Sequence, residues 1–211
     1  MIEVCELFAG LAGEGVWSGR AAAFVRLSGC NLRCCWCDTS YAWEGGERMR
    51  RASVVVAIRR MALKRVVVTG GEPLLQRETP RLLADLLDRG LHTALETNGT
   101  FALDQVPQGV HIAMDLKPPS SGHADSVRWS NLERLGPNDE LKVVIADRAD
   151  LDWLVRVLHE RADQLNAPVY VQPAHGRLAA RRLADWLVEQ RLDLRLGIQL
   201  HKLLWGTERG R

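Results

Sequence analysis

The sequence lacks an excess of charge of either sign. Its 28 lysine and arginine residues nearly balance 26 aspartate and glutamate residues, which leaves a formal net charge of +2. It also lacks an apolar run as long as a membrane span, and residues 1–4 lack the basic start of a signal peptide. These absences give no reason to expect a nucleic-acid or membrane partner, and we expect a cytoplasmic protein.

Cysteine is scarce and unevenly distributed, because four of the five cysteines lie within residues 30–37. Such crowding is not a disulfide framework and fits a reducing compartment. Cys30, Cys34 and Cys37 have the spacing C-x3-C-x2-C and supply three thiolates. A closed zinc site takes four ligands, and a cubane iron–sulfur cluster normally takes four cysteines. Three ligands therefore leave one iron of a cluster open to an outside ligand.

A zinc-binding interaction domain is the main non-enzymatic alternative, since Cys-x2-Cys pairs also occur in zinc sites. Zinc would need a fourth ligand. Asp38 is adjacent, Cys5 can reach back from an N-terminal strand, and the nearest histidine in sequence is His92. The spacing favours the open cluster but leaves the zinc alternative standing.

Strands alternate with helices along the chain, which predicts a parallel sheet. Apolar runs predict strands at 22–27, 65–69, 92–97, 111–116, 141–145 and 169–172. Helices are predicted at 53–63 with Ser53 as cap, 79–90 with Thr79 as cap, 150–162 and 178–190. About six strands are too few for a closed eightfold barrel. We therefore predict an α/β fold, a partial, open TIM-like barrel, in a single domain over residues 1–211.

Polar and glycine-rich segments follow the predicted strands. They are the cysteine loop, 70–73, 96–100, 115–122, Lys142 and 172–173. The carboxyl ends of parallel strands share one edge, where chemistry collects in such folds. These segments therefore predict an active site at that edge.

The segment Thr69-Gly70-Gly71-Glu72-Pro73 follows a short β-branched strand. Paired glycines permit a close approach of the backbone to a ligand, although a tight turn alone would also explain them. Together with the cysteine spacing, the segment resembles the radical S-adenosylmethionine superfamily. The resemblance implies that S-adenosylmethionine chelates the open iron of a [4Fe–4S] cluster and that the GGEP backbone binds its amino group.

Further motifs follow in order: GEG at 13–15, CDT at 37–39, ETNGT at 96–100, DLKPPSSG at 115–122 and HKLLWG at 201–206. Over nearly the whole chain this set resembles the 7-carboxy-7-deazaguanine synthases of queuosine and 7-deazapurine biosynthesis. The resemblance implies a ring contraction of 6-carboxy-5,6,7,8-tetrahydropterin with loss of ammonia, begun by a 5′-deoxyadenosyl radical. It also implies Mg2+, an electron donor such as flavodoxin, and a homodimer.

The same resemblance assigns residues motif by motif. For the cluster they are Cys30, Cys34 and Cys37, and for Mg2+ the residue is Thr39. For S-adenosylmethionine they are Trp36, Asp38, Gly70, Gly71, Glu72, Lys117 and Ser120. For the pterin they are Leu11, Ala12, Gly13, Glu14, Arg26, Thr69 and Glu96. No catalytic side chain is implied beyond the cluster and the cofactor.

Several of these positions have a structural alternative. Arg26 lies on a predicted central strand, where a charge must be paired, so it either clamps the pterin carboxylate or bridges to a structural carboxylate. Ala12 replaces a glutamine common in the family, which costs a contact only if the family uses that side chain. Cys35 is expected to be a bystander. Residues 201–202 are either a surface tail or a pocket wall.

The competing enzyme class is a glycyl-radical-enzyme activase, which is also small and has the same cysteine spacing. It would need a protein partner and no pterin pocket. Glu14, Arg26 and Thr39 favour a small anionic substrate instead.

Overall fold

The structure, a computed structural model, describes residues 1–210. Its nine strands are β1 (Ile2–Leu11), β2 (Ala21–Leu27), β3 (Glu47–Met49), β4 (Arg65–Gly70), β5 (His92–Thr97), β6 (His111–Leu116), β7 (Glu140–Ile145), β8 (Val169–Pro173) and β9 (Arg195–Leu196). Its α-helices are α1 (Arg51–Arg60), α2 (Thr79–Leu87), α3 (Arg148–Glu160), α4 (Ala180–Gln190) and α5 (Leu200–Trp205). Short 3-10 turns occupy several of the connections.

All nine strands belong to one open sheet in the order β3-β1-β2-β4-β5-β6-β7-β8-β9. The pairs from β2 to β9 are parallel, whereas β1 pairs antiparallel with both β2 and β3. The predicted partial barrel of about six parallel strands is confirmed. Strands β1 and β3 at one edge and the two-residue β9 at the other were not predicted.

The two faces of the parallel strands are packed differently. On β4, Val66 and Val68 join the large core under the helices, while Val67 belongs to a small cluster on the opposite face. That second cluster consists mainly of small residues, including Ala22 and Ala94, with Phe24. Since side chains alternate along a strand, every second residue of the parallel strands faces this less filled inner side. The inner side is where space for a ligand remains.

Two predicted helix starts were wrong. Helix α1 begins at Arg51 and not at Ser53, which is exposed in the first turn, and Arg51 is held by a 2.9 Å ion pair to Asp85. Thr79 is the first residue of α2 and not its cap, and its hydroxyl donates to the carbonyl of Pro73 at 2.6 Å. The Thr79 hydroxyl, which was assigned to a local cap, instead holds the preceding turn through the Pro73 carbonyl.

The remaining predicted helices are confirmed with shifted ends. Helix α3 begins two residues earlier than expected, after Asp147, whose side chain accepts from the backbone N–H of Asp150 at 3.0 Å. The crossover between β5 and β6 is abbreviated to a 3-10 turn at Leu103–Gln105, as its length predicted. Within residues 1–210, no helix is both long and apolar enough to cross a membrane.

Candidate active site

Five polar side chains project from the inner face of five adjacent parallel strands. They are Arg26 on β2, Thr69 on β4, Glu96 on β5, Asp115 on β6 and Lys142 on β7. All five line one cavity of about 230 Å³ at the carboxyl-terminal edge of the sheet. The structure therefore has a cavity at the edge of the sheet where the sequence predicted the site.

The cysteine loop leaves β2 and forms one wall of this cavity. Cys30, Cys34 and Cys37 all line it, and burial raises the pKa of the Cys30 and Cys34 thiols. Cys35 is exposed and is not among the lining residues. A raised thiol pKa means that these sulfurs become thiolates when a metal centre compensates their charge. Three lining sulfurs match the donor set of a three-cysteine cluster.

Neither sequence-predicted candidate for a fourth zinc ligand is available at this cavity. Cys5 does not line it, and the Asp38 carboxylate is paired with Lys202. Within residues 1–210, no three of the His, Cys, Asp and Glu side chains, the three cysteines included, lie close enough together to hold a metal ion. The three thiols therefore share one cavity wall but do not form a closed metal site by themselves.

Contacts from later loops hold the cysteine loop in place. The Asn31 amide donates to Thr100 at 2.9 Å and accepts from the Asn98 amide at 3.0 Å. The backbone N–H of Arg33 donates to His123 Nε2 at 3.0 Å. The ETNGT segment therefore supports the loop that carries the three thiols, a role the sequence alone did not suggest.

The two glycines of the GGEP turn are required by close packing. A Cβ on Gly70 would lie 2.2 Å from the Leu27 carbonyl oxygen, and one on Gly71 would lie 2.3 Å from that of Gly29. Neither glycine has a positive φ. Both line the cavity, so the turn lies directly against the cysteine loop with its backbone facing the open space.

Glu72 does not line the cavity. Its carboxylate is fully buried and accepts from the backbone N–H groups of Leu74 at 2.8 Å and Asn98 at 2.7 Å, and from the Thr97 hydroxyl. Burial raises the pKa of Glu72 despite these hydrogen bonds. The side chain therefore joins two cavity-forming loops from behind.

Trp36 and Lys117 line the cavity, whereas Ser120 lies behind Trp36. The indole N–H donates to Ser120 Oγ at 3.1 Å, and the Ser120 hydroxyl donates to Asp150. Lys117 Nζ lies 5.1 Å from the centre of a Trp36 ring and 3.0 Å from Asp115 Oδ2. This chain of contacts fixes the orientation of the indole.

The loop between β1 and β2 crosses the inner face and brings Glu14 to β7. Glu14 Oε2 accepts from Lys142 at 2.8 Å and Oε1 accepts from Gln199 at 2.8 Å. Burial alone would raise the pKa of Glu14, but the Lys142 ammonium and these hydrogen bonds lower it. Glu14 is thus held ionised within the cavity wall.

Of its neighbours, Leu11 and Gly13 line the cavity and Ala12 does not. Ala12 is buried in the small inner cluster. Its backbone N–H donates to the Arg20 carbonyl, and its own carbonyl accepts from the backbone N–H of Gly19. The residue that departs from the family pattern is therefore a packing residue in this chain.

Arg26 has a structural partner as well as a face on the cavity. Its Nε donates to Glu6 at 3.0 Å, the only hydrogen bond of its side chain within residues 1–210. The guanidinium carbon lies 5.8 Å from the centre of the Tyr41 ring. The bridge to a structural carboxylate exists, and the guanidinium keeps its remaining donors for a ligand.

Glu96 is the second glutamate that lines the cavity, and like Glu14 it is half-buried. Burial raises its pKa, although the Lys142 ammonium and a hydrogen bond from Thr69 oppose that rise. Its environment therefore differs from that of Glu14, since no lysine within residues 1–210 forms an ion pair with Glu96 as Lys142 does with Glu14.

The C-terminal helix α5 forms part of the wall. The Asp38 carboxylate accepts from Thr39 Oγ at 2.9 Å and from Gln199 at 3.0 Å, and it pairs with Lys202. The pKa of Asp38 is held low by Lys202 and these hydrogen bonds, against the effect of burial. His201 and Lys202 both line the cavity, so this segment is a pocket wall and not a surface tail.

The sequence placed Asp115 and Lys142 at this edge of the sheet but gave neither of them a ligand, and it did not place Gln199 in the site. Strand alternation carries the signal for Asp115 and Lys142, because their neighbours in sequence are apolar core residues. Gln199 has no such signal, since only tertiary structure brings α5 to Glu14.

Comparisons with known proteins agree with this geometry. Residues 24–133 match the model of the Radical SAM superfamily, so the fold and the three-cysteine loop define a radical S-adenosylmethionine enzyme. The superfamily implies a [4Fe–4S] cluster and S-adenosylmethionine as cofactors, and the residues of the cysteine loop fit them.

The relatives narrow the class further. The 7-carboxy-7-deazaguanine synthases of Koribacter versatilis and Chlorobaculum tepidum are each 36% identical, covering 98% of this chain and 98% and 96% of theirs. The crystal structure of QueE from Escherichia coli matches with a TM-score of 0.76 at 25% identity, over 95% of this chain and 94% of that one. The chain belongs to the 7-carboxy-7-deazaguanine synthase family. It is a radical enzyme of deazapurine biosynthesis, and the activase and zinc alternatives are set aside.

Proposed function

We propose that this enzyme converts 6-carboxy-5,6,7,8-tetrahydropterin into 7-carboxy-7-deazaguanine with loss of ammonia, within a single domain. The observation that carries the proposal is the composition of the cavity wall. Arg26 lies on the same inner face as Glu14 and Glu96, and all three share the cavity with three thiols. An anionic substituent and a guanidine-like edge on one flat ring system need that combination of charges.

In this proposal Cys30, Cys34 and Cys37 ligate the cluster, and Gly70 and Gly71 present backbone groups to S-adenosylmethionine. When bound, these cofactors supply the one-electron chemistry that starts the ring contraction. Trp36, Asp38 and Lys117 line the cofactor's side of the cavity. Glu72 and Ser120, predicted to bind the cofactor, do not line the cavity, and in this proposal they hold the loops and side chains that do.

Arg26 binds the carboxylate of the pterin, because a guanidinium offers paired donors that suit a carboxylate. Glu14 and Glu96 accept hydrogen bonds from its guanidine-like edge, and Thr69 hydrogen-bonds Glu96 from the adjacent strand. Leu11 and Gly13 line the cavity beside Glu14, with Ala12 packed beneath them. The charged side chains around the pterin thus hold its ring in one orientation.

We further propose that Thr39 binds Mg2+ together with oxygens of the substrate. Magnesium keeps several waters and takes few protein oxygens, so one hydroxyl and the substrate's oxygens suffice. The Asp38 carboxylate beside it is paired with the Lys202 ammonium and accepts a hydrogen bond from Gln199. A flavodoxin-type electron donor and a homodimer complete the proposal.

The deciding experiment is an anaerobic reaction of the reconstituted protein with the carboxypterin, S-adenosylmethionine and a reductant, followed by mass spectrometry. We expect 7-carboxy-7-deazaguanine and ammonia in equal amounts, with no protein substrate present. Turnover of S-adenosylmethionine that is indifferent to the pterin would contradict the proposal. A protein without pterin-dependent turnover that modifies a glycine in a partner enzyme would be an activase instead.

A further inference from the structure

We propose that Lys142 is a positioning residue for the pterin, acting through Glu14 and Glu96 to fix the guanidine-like edge of the substrate. The inference rests on the proposed function and extends it to a residue that neither the motifs nor the family resemblance assigned. Its basis is the arrangement of charges on the inner face of β5, β6 and β7.

Lys142 occupies the centre of that arrangement. Its side chain leaves the inner face of β7 between the core residues Leu141 and Val143. Its ammonium donates to Glu14 Oε2 at 2.8 Å and lies 3.7 Å from Asp115 Oδ2. One ammonium therefore contacts the substrate-facing loop and a neighbouring strand at once.

The inner face holds three carboxylates and two ammonium groups. They are Glu14, Glu96 and Asp115 with Lys117 and Lys142. Lys117 is committed to Asp115 at 3.0 Å and to the Trp36 ring. Arg26, the third cation of this face, is paired with Glu6. Lys142 is then the lysine that pairs with Glu14 and acts on Glu96, since a charge withdrawn from water is costly unless it is paired.

The electrostatics of each group agree with that assignment. Burial alone would lower the pKa of Lys142, but Glu14, Asp115 and Glu96 raise it well above its ordinary value. The ammonium also lowers the pKa of Glu14 and opposes the rise of the pKa of Glu96. Both glutamates thereby gain acceptor character toward a ligand.

Other groups face the same glutamate. His201 and Asp38 act on Glu14 from α5 and the cysteine loop, and Gln199 donates to its second oxygen. Because Gln199 carries no charge, it can orient Glu14 but cannot compensate its ionisation. Removing Lys142 would therefore leave Glu14 in place without the charge that keeps it ionised.

The test compares Lys142→Met and Lys142→Arg with Lys64→Met, which removes the same charge from an exposed lysine. Dissociation constants of the carboxypterin and of S-adenosylmethionine are measured anaerobically by calorimetry on the cluster-loaded proteins. We expect Lys142→Met to weaken pterin binding by roughly 10- to 150-fold, as for a lost hydrogen bond to a charged group, with S-adenosylmethionine binding unchanged. Lys142→Arg should recover part of the loss.

The pH profile of pterin binding supplies a readout that a merely structural role would not change. Without the ammonium, burial raises the pKa of Glu14, so Lys142→Met should bind the pterin more tightly as pH rises and Glu14 ionises. The wild type should lack this part of the dependence. A double variant, Glu14→Gln with Lys142→Met, removes both charges of the pair. It leaves neither member of the pair charged without its partner, so it should fold even if Lys142→Met alone does not.

In the double-mutant cycle, Lys142→Met should have a much smaller effect on a Glu14→Gln background. Additive effects would overturn the inference, as would equal loss of cofactor and pterin affinity. If the wild type and Lys142→Met bind the pterin equally well, only this inference is overturned. Wild-type protein that binds no pterin overturns the proposed function and the inference with it.

Discussion

The two edges of the parallel sheet carry cavities that differ in the chemistry of the residues that line them. The upper cavity, at the carboxyl-terminal edge, has a volume of about 230 Å³ and contains the candidate site. The lower cavity, at the opposite edge, is lined by residues such as Trp17, His111 and Asn138. At each edge a hydrogen bond to a charged side chain fastens the loop formed by residues 12–17 to β7, from Lys142 to Glu14 at the upper edge and from the Val16 N–H to Glu140 at the lower.

The lower ion pair, His111–Glu140, is satisfied by the protein itself. Glu140 accepts from His111 Nε2 at 3.0 Å and from the backbone N–H of Val16 at 3.1 Å. Trp17 stacks on the imidazole at 5.6 Å. Gly15 has a φ of +61° and passes so close that a Cβ would lie 2.2 Å from the Glu140 carboxylate.

The upper ion pair, Glu14–Lys142, is surrounded by groups that can form further hydrogen bonds. Asp115 Oδ1 is buried and has no hydrogen-bond partner within residues 1–210. Arg26 donates only through Nε, and Thr69 is the hydroxyl donor to the half-buried Glu96. A buried polar atom without a partner, such as Asp115 Oδ1, is costly, so unused hydrogen-bonding capacity indicates a ligand site better than cavity volume does.

The largest expected contrast between the two edges comes from the cysteines. Alanine at Cys30, Cys34 or Cys37 should remove the cluster's brown absorbance and all turnover, because each supplies one of only three protein ligands. Cys35→Ala is the matched control and should keep both. Iron content and absorbance after anaerobic reconstitution measure the effect, and a cluster lost only in Cys35→Ala would refute the ligand assignment.

Arg26→Ala should weaken pterin binding by roughly 10- to 150-fold, the value of a charge-assisted hydrogen bond. S-adenosylmethionine binding should change little, since Arg26 lies with the substrate residues on the inner face. Arg20→Ala, at an exposed arginine, serves as control. Loss of cofactor affinity alone would place Arg26 in the other half of the cavity.

Thr39→Ala should lose most of the stimulation of turnover by Mg2+ while keeping the cluster and cofactor binding. Thr39→Ser keeps the oxygen and should keep part of the response, because the metal needs the hydroxyl and not the methyl group. Steady-state turnover is measured against Mg2+ concentration for the three proteins. An undiminished response in Thr39→Ala would show that the hydroxyl serves only its hydrogen bond to Asp38.

The smallest effect is expected at the lower edge and concerns stability. Burial would lower the pKa of His111, but the hydrogen bond and charge of Glu140 raise it above 6.5. A raised pKa means that the stabilisation is complete below about pH 6.5 and is lost as pH rises through the raised value. Glu140→Gln should therefore flatten the fall in the free energy of unfolding with pH.

Urea titrations of the wild type, of Glu140→Gln and of Glu160→Gln, an exposed control, measure this slope at several pH values. The pterin dissociation constant should change far less than in Lys142→Met. If Glu140→Gln weakened pterin binding as strongly as Lys142→Met, the two edges would not differ in function as described.

Much of the fold was predictable because its central strands are short, rich in apolar residues and bounded by polar turns. Residues 92–97 and 111–116 were placed correctly, and the β-branched run at 65–69 lies in β4. Strand β1 was missed because its alternation is broken by a register shift between Val4 and Glu6, and β3 because it is three mostly exposed residues. Local sequence carries no record of edge strands that depend on a partner.

The site was predictable where motifs are contiguous and not where pairing spans the chain. The three thiols and the GGEP turn are local features. The partners of Glu14, by contrast, are Lys142 and Gln199, 128 and 185 residues away in sequence. Likewise, Glu72 and Ser120 lie in loops that form the cavity but are not among the residues that line it. Tertiary packing, and not the local motif, determines which residues of a loop line the cavity.

The 12–17 loop has a further consequence for the order in which the molecule folds. Its contacts with Lys142 and Glu140 close sequence separations of 128 and 124 residues. Contacts between residues so far apart in sequence cost a large loss of chain entropy before any favourable interaction forms. We therefore expect them to form after the folding transition state. Changes at these contacts should then speed unfolding and leave the refolding rate nearly unchanged in stopped-flow measurements. Refolding slowed by Glu140→Gln would show instead that this loop belongs to the folding nucleus.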